Sequence, residues 1–319
     1  MQWLLYPDKW VEHMSSLIEQ ATRRLEQLRQ AGVILESLEV TETKKHVVNN
    51  VHENTQFQSQ EAGPPLQKIK QTSYSRKVEL DLDALAAAGI VSPNAPRSQI
   101  ADQYRVIKRP LISNAMGKGA SVIANGNLIM VTSALAGEGK SFSAINLAMS
   151  IATELDNTVM LVDADVARPS VLRMLGLPAS PGLLDLLVGD VDDLSSVLLK
   201  TNIDKLTILP SGTPHLRATE LLASDAMSQL IRNIANRYSD RIIIFDSPPL
   251  LLTTESRVLA THMGQIVMVV QAEKTLQSDV LHALASIEAC PVKMMVLNQA
   301  KSNQQGGYGG YGYGYGYEQ

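Results

Sequence analysis

Residues 127–141 read "NLIMVTSALAGEGKS". A short apolar run enters a loop with two glycines, and a Lys-Ser pair then opens a helical pattern, "SFSAINLAMSIATEL", at 141–155. The loop spells A-x-x-x-x-G-K-S, a P-loop in which Ala134 stands at the usual first glycine. Gly137 and Gly139 let backbone amides turn inward around phosphate oxygens without a Cβ clash. The helix beginning near Lys140 adds the positive end of its dipole at the same spot. Lys140 is expected to reach the β- and γ-phosphates, and the Ser141 hydroxyl to bind Mg²⁺. Ala136, Gly137, Glu138, Gly139, Lys140, Ser141 and Phe142 are therefore the candidate ATP-binding residues.

Working outward, more apolar runs repeat at intervals: "TVMLVDA", "KLTILPS", "RIIIFDS", "QIVMVVQ" and "KMMVLNQ". They are continuous rather than alternating, as strands are when helices cover both faces of a sheet. Helical patterns such as "ATELLASDAMSQLIRNIANRY" (218–238) lie between most of them. The expectation is an α/β fold, a doubly wound and mainly parallel sheet of the P-loop NTPase type, from about 98 to 300.

Two further stretches bring acids to strand ends. In "VMLVDADVARP" (159–169), Asp163 and Asp165 are two residues apart, so their side chains point to one side. Carboxylates at the end of a buried strand are expensive unless a cation or a proton uses them. Asp165 is the better placed of the two to cap a helix beginning near Pro169. In "RIIIFDSPPL", Asp246 ends an apolar strand in the manner of a Walker B acid. Ser141, Asp163 and Asp246 form the candidate Mg²⁺ set, and Lys140, Asp163, Asp165 and Asp246 the candidate catalytic set. Asn298, which ends the last strand, is the candidate adenine contact. At this level an ATPase switch and a kinase both stay open.

The rest of the chain sorts into segments. An N-terminal helical segment (1–40) places Met14, Leu17, Ile18, Ala21, Leu25 and Leu28 on one narrow stripe, suited to docking. Polar residues 41–77 read as a flexible linker. The domain itself spans 78–304, with two helical patterns divided by Gly89 and Pro93 before the P-loop. Residues 305–319 are a Gly/Tyr-rich tail with five of the nine tyrosines. A net charge of −4 does not indicate a broad nucleic-acid surface. Cys290 stands alone, so no intrachain disulfide forms, and a reducing, cytoplasmic setting is expected. The six histidines lack metal-ligand spacing, and no run approaches the roughly 18–20 apolar residues of a membrane span.

Taken together, "SALAGEGKS", "VMLVDADVARP", "IIIFDSPP" and a tyrosine-rich C-terminus resemble the bacterial tyrosine kinases, which use P-loop motifs. "MSSLIEQATRRLEQL" and "RSQIADQYRVIKRPLI" are similar to segments of the exosortase-associated tyrosine autokinases of exopolysaccharide clusters. The resemblance covers about 14–319, and it implies that residues 1–13 are an extension from an upstream start codon. It further implies an Mg-ATP-dependent autokinase acting between neighbouring subunits. The phosphoacceptors would be Tyr308, Tyr311, Tyr313, Tyr315 and Tyr317. Asp163 would stand nearest the incoming hydroxyl, with Asp165 and Asp246 around the metal. Its role would be to regulate exopolysaccharide synthesis, chain length or export. It would be cytoplasmic, held at the inner face of the membrane by a partner. The implied partners are an inner-membrane chain-length determinant protein as activator, a cognate tyrosine phosphatase, and further copies of itself in a ring. The family's ring contact is a Glu-x-x-Arg-x-x-Arg segment, which here reads Asp102, Arg105, Lys108. The shorter acid, and a lysine without the guanidinium fork, depart from that pattern.

The alternatives are an ATPase switch of the partitioning or division-site kind, without protein kinase activity, and a catalytically quiet adaptor. Such switches usually carry a second lysine early in the loop, and residues 133–138 contain none. Reach also favours the tail as substrate. Lys301 and Tyr317 are 16 residues apart, at most roughly 53–58 Å when extended and about 20–24 Å as a glycine-rich coil.

Overall fold

The structure is a computed structural model, which describes residues 75–301 apart from 95–96, 120 and 239. The N-terminal stripe, nearly all of the expected linker, residues 1–13 and the five tail tyrosines lie outside the described residues.

Chain order is β1 (Arg76–Lys77), α1 (Leu82–Ala87), α2 (Gln99–Ala115), β2 (Leu128–Ser133), α3 (Lys140–Ala152) and β3 (Thr158–Asp163). Then come α4 (Val171–Met174), α5 (Leu183–Val188), α6 (Leu194–Val197), β4 (Leu199–Lys200), β5 (Leu206–Leu209), α7 (Ala218–Leu222) and α8 (Asp225–Arg237). The last elements are β6 (Arg241–Asp246), α9 (Glu255–Ala260), β7 (Gln265–Gln271), α10 (Gln277–Ala285) and β8 (Val292–Asn298). The strands form one sheet in the order β1-β4-β5-β3-β6-β2-β7-β8. All neighbours run parallel except β4 and β5.

The continuous apolar runs do what the sequence reading expects. On β2, Ile129 and Val131 face one core while Leu128 and Met130 face the other. On β6 the same split separates Ile242 and Ile244 from Ile243 and Phe245. The apolar residues of these inner strands are thus buried whichever way they point, whereas β8, at the sheet edge, alternates and leaves Met295 and Leu297 exposed. α3 packs against both α2 and the sheet, so its residues are buried almost all round. Within it, Asn146 is fully buried and satisfied, accepting from Val91 N at 2.7 Å and donating to Phe142 O at 2.9 Å. That bond ties the segment before α2 to the helix that carries the P-loop lysine.

Two readings need correction. The pattern at 218–238 is two helices, α7 and α8, because Ser224 stops one and caps the next, its Oγ accepting from Met227 N. Lys108, read with Asp102 and Arg105 as one exposed contact face, is buried. Its Nζ donates to Ser150 O at 2.5 Å and pairs with Glu154 Oε1 at 2.6 Å, while Asp102 and Arg105 are exposed and paired with each other. Lysine's single long stem lets the ammonium fold back onto the last carbonyls of α3, which is also where the helix dipole favours a cation.

Among the described residues, no helix is long and apolar enough to cross a membrane.

Candidate active site

The site assembles at the carboxyl ends of β2, β3 and β6, where parallel α/β sheets bind ligands. β3 and β6 are in register, with Asp163 opposite Asp246. β2 is paired on the other side of β6, with Val131 opposite Asp246. The P-loop thus leaves β2 directly beside the acids.

Gly137 (φ +87) and Gly139 (φ +94) adopt the left-handed conformation that their role demands. At Gly139 space matters as well: a Cβ there would lie 2.0 Å from Asn298 Nδ2. Asn298 donates from that nitrogen to Glu138 O at 2.9 Å, so it buttresses the loop from the end of β8. Glu138 is buried, and one of its oxygens accepts from Leu135 N at 2.7 Å while the other accepts from the Thr275 hydroxyl. Its carboxylate therefore holds the loop's shape. On the far side, Leu250 N and Leu251 N donate to Ser133 O and Ala134 O, and the Thr132 hydroxyl donates to Pro248 O. The Ser-Pro-Pro stretch after Asp246 is in this way laced along the P-loop.

Lys140 is the centre of charge. Its Nζ meets Asp165 Oδ2 at 2.5 Å. Burial alone would push the ammonium's pKa down, but the charges of Asp246, Asp165 and Asp163 outweigh it and leave it above its usual value. Asp246 is 0% exposed, and neither carboxylate oxygen has a hydrogen-bond partner. Burial raises its pKa to about 6, with Lys140's charge and the neighbouring Ser141 hydroxyl, which is close by but not in good hydrogen-bond geometry, working against the rise. Asp163, 1% exposed, is pushed up to about 7, first by burial and then by Asp246. Its Oδ2 accepts from Ser170 N at 3.2 Å and Val171 N at 3.1 Å, and its Oδ1 has no partner. Asp163 rather than Asp165 thus caps the turn into α4, reversing the sequence reading. Asp165 instead pairs with Lys140 and accepts from Arg168 N at 3.2 Å.

Three orphaned oxygens on two buried carboxylates are costly unless something cationic meets them. Ser141 stands at the first turn of α3, directly after Lys140. Two carboxylates and a hydroxyl fit Mg²⁺, which keeps several waters and needs few protein ligands.

A cavity of about 550 Å³ opens beside the cluster, lined by Ala136, Gly137, Lys140, Phe142 and Asp165 among others. Arg168, Arg173 and Thr253 also line it. The sequence reading missed these three, together with Thr275. The arginines had a visible signal, being cations just beyond the D-x-D pair; Thr275 and Thr253 had none, because only the fold brings them to the loop. The sequence reading named Asn298 as an adenine contact; the structure places it against the loop backbone.

Comparison with known proteins agrees with this architecture. The AAA domain family model matches residues 126–294. The chain is 29% identical over 224 residues to the tyrosine-protein kinase YwqD of Bacillus subtilis, covering 70% of this chain and 90% of that protein. It is 32% identical over 221 residues to the succinoglycan biosynthesis transport protein ExoP of Rhizobium meliloti, covering 67% of this chain but only 27% of ExoP. The crystal structure of the chimerical protein CapA2B2 superposes with a TM-score of 0.55 at 26% identity, covering 70% of this chain and 93% of that one. The family model spans more than half of its length, so the chain belongs to the AAA domain family, and the relatives it matches include bacterial tyrosine-protein kinases.

Proposed function

We propose that this chain is an Mg-ATP-dependent protein-tyrosine kinase that phosphorylates the tyrosines of its own C-terminal segment, chiefly from one subunit to another. The observation that carries the reading is the pair of buried, unpartnered carboxylates, Asp163 and Asp246, set in register beside the P-loop lysine. A site that only bound nucleotide would need one such acid for the metal. Asp163 offers a second function.

In the transfer, the tyrosine O–H gives its proton to Asp163 Oδ1, the oxygen without a partner. The phenolate oxygen bonds to the γ-phosphorus as the bond from phosphorus to the β–γ bridging oxygen breaks, and ADP leaves. Tyrosine's pKa of about 10 makes a positioned acceptor necessary at neutral pH. Burial and Asp246 raise the pKa of Asp163 to about 7 without a metal; beside bound Mg²⁺ it would fall, so that the carboxylate enters the step ionised and able to accept the proton. Lys140 must leave Asp165 for the phosphates, and its charge then meets the charge that develops on the phosphoryl oxygens. Mg²⁺, when bound, would supply Lewis-acid neutralisation of the same oxygens; Asp246 and Ser141 would hold it, and Asp163, whose one free oxygen takes the proton, would add its charge beside it.

The names of the relatives support a place in polysaccharide production, since ExoP is a succinoglycan biosynthesis transport protein. An activating membrane partner, a ring of subunits and a phosphatase follow from the family resemblance and remain part of this proposal. The test is incubation of purified protein with Mg-ATP and mapping of phosphotyrosine by mass spectrometry. Phosphate on residues 308–317, abolished by Lys140→Met, is the expected result. ATP hydrolysis with an unmodified tail would mark an ATPase switch, and neither activity would mark an adaptor.

A further inference from the structure

The cavity beside the P-loop carries more positive charge than a nucleotide site of this kind uses. The triphosphate is served by the loop amides, the N-terminus of α3 and Lys140. Arg168 and Arg173 also line the cavity, on the segment that leaves the D-x-D pair. Both are exposed, and neither guanidinium has a hydrogen-bond or ion-pair partner among the described residues. Their position is tied to the chemistry. Asp163, through Oδ2, holds the amides of Ser170 and Val171, and Val171 begins the four-residue α4 that carries Arg173. Arg173 therefore rides on an element held by the carboxylate that takes the proton, Arg168 N donates to Asp165 Oδ1 at 3.2 Å, and both side chains line the cavity beside these acids.

We propose that Arg168 and Arg173 form an anion-receiving rim that holds the phosphate of an already phosphorylated tail tyrosine while the next tyrosine enters the site. This rests on the reading of the tail as acceptor. Tyr311, Tyr313, Tyr315 and Tyr317 are spaced two apart, with glycine between them. On an extended peptide, residues two apart lie on one side, about 6.4–6.8 Å from each other. A phosphate on one tyrosine thus lies one side chain's reach from the next hydroxyl, and the intervening glycines put nothing in the way. A guanidinium fork matches a phosphate dianion in two parallel hydrogen bonds, which tyrosine itself does not offer. One phosphorylation then favours the next, and multiply phosphorylated tails accumulate ahead of singly phosphorylated ones.

The test uses the full chain with Mg²⁺ and a non-hydrolysable ATP analogue, so that binding is read without transfer. Two synthetic peptides of residues 306–319 are compared by fluorescence anisotropy, one unmodified and one with phosphotyrosine at position 315. Both contain Glu318, so its charge cancels. The expected result is that the phosphopeptide binds about tenfold more tightly, and that the Arg168→Gln/Arg173→Gln variant loses this advantage. Equal affinities for the two peptides in the wild-type chain would overturn the proposal. So would a preference that survives the double substitution, or a double variant that loses the ATP analogue while keeping the preference. Melting curves show whether the variant is folded, and Arg168→Lys/Arg173→Lys, which keeps charge without the fork, should retain part of the preference. Because no transfer is measured, a phosphopeptide preference without tail phosphorylation would sink the kinase reading and leave the rim. Tail phosphorylation without the preference would do the reverse.

Discussion

Two lysines, Lys108 buried and Lys140 partly buried, sit at opposite ends of the same helix, α3, and they do different work. Lys108 closes the C-terminal end, where Ser150 O, Thr153 Oγ1 and Glu154 surround its ammonium with acceptors. Lys140 opens the N-terminal end and meets one acid of a cluster that still contains three unpartnered oxygens. Cavity size does not tell the two ends apart. The cavity beside Lys108 measures about 600 Å³ and the one beside Lys140 about 550 Å³. Satisfaction does: a buried charge whose surroundings are complete is structural, while one amid unmet partners waits for a ligand.

The sharpest way to break this contrast is to remove each lysine in turn. Lys140→Met should lower tail phosphorylation by about 100- to 1,000-fold per folded molecule, the cost typical of losing one electrostatic donor in a transition state. Quantitative phosphotyrosine mapping reads the loss, and a drop of less than tenfold would remove Lys140 from its role. Lys108→Met instead removes the bond to Ser150 O and the pairing with Glu154, and should cost about 2 kcal/mol of stability, or about 4–8 °C in Tm. Activity per folded molecule should survive it; if activity falls while Tm does not, the two ends have been assigned the wrong way round.

A subtler difference concerns protons. The folded pKa of Asp163 is about 7 against an ordinary value of 3.8, so the folded protein binds this proton more tightly than the unfolded chain does. The stabilising contribution is complete below pH 3.8 and is lost as pH rises through 7. Asp246, at about 6, acts in the same direction. Without Mg²⁺ or nucleotide, the protein should lose about 1.4 kcal/mol between pH 6 and pH 8 from Asp163, which is about 3–5 °C in Tm. Asp163→Asn should flatten that slope, as thermal melts at both pH values would show; an unchanged slope would mean Asp163 does not titrate there.

The smallest effect is expected at the exposed Asp102–Arg105 pair, three residues apart on α2. Arg105→Ala should shift stability by less than about 1 kcal/mol, since exposed pairs contribute little. Light scattering of the same variant then tests the subunit contact: an oligomer that loses mass supports it, and an unchanged mass leaves the pair as surface charge.

Much of this was legible in the sequence, for identifiable reasons. Six strands announced themselves as unbroken apolar runs, the inner ones because helices cover both sheet faces; β8, at the sheet edge, instead leaves Met295 and Leu297 exposed. The P-loop, Asp163, Asp165 and Asp246 were legible because phosphate and metal chemistry demands particular residue types at particular spacings. What escaped were matters of partner choice. Nothing local says that Asp163 takes the amides of α4 while Asp165 takes Lys140, since both acids leave the same strand end. Lys108 looked like a surface residue because its acceptors lie 42–46 positions away, at the end of another helix. β1 and β4, two residues each, carry too little pattern to be seen.

The most direct test of the account uses two chains in one tube with Mg-ATP. One carries Lys140→Met with its tail intact; the other keeps Lys140 but has all five tail tyrosines changed to phenylalanine. Transfer between subunits predicts phosphotyrosine on the tail of the Lys140→Met chain. Its absence there, under conditions in which the wild-type chain labels its own tail, would contradict the account.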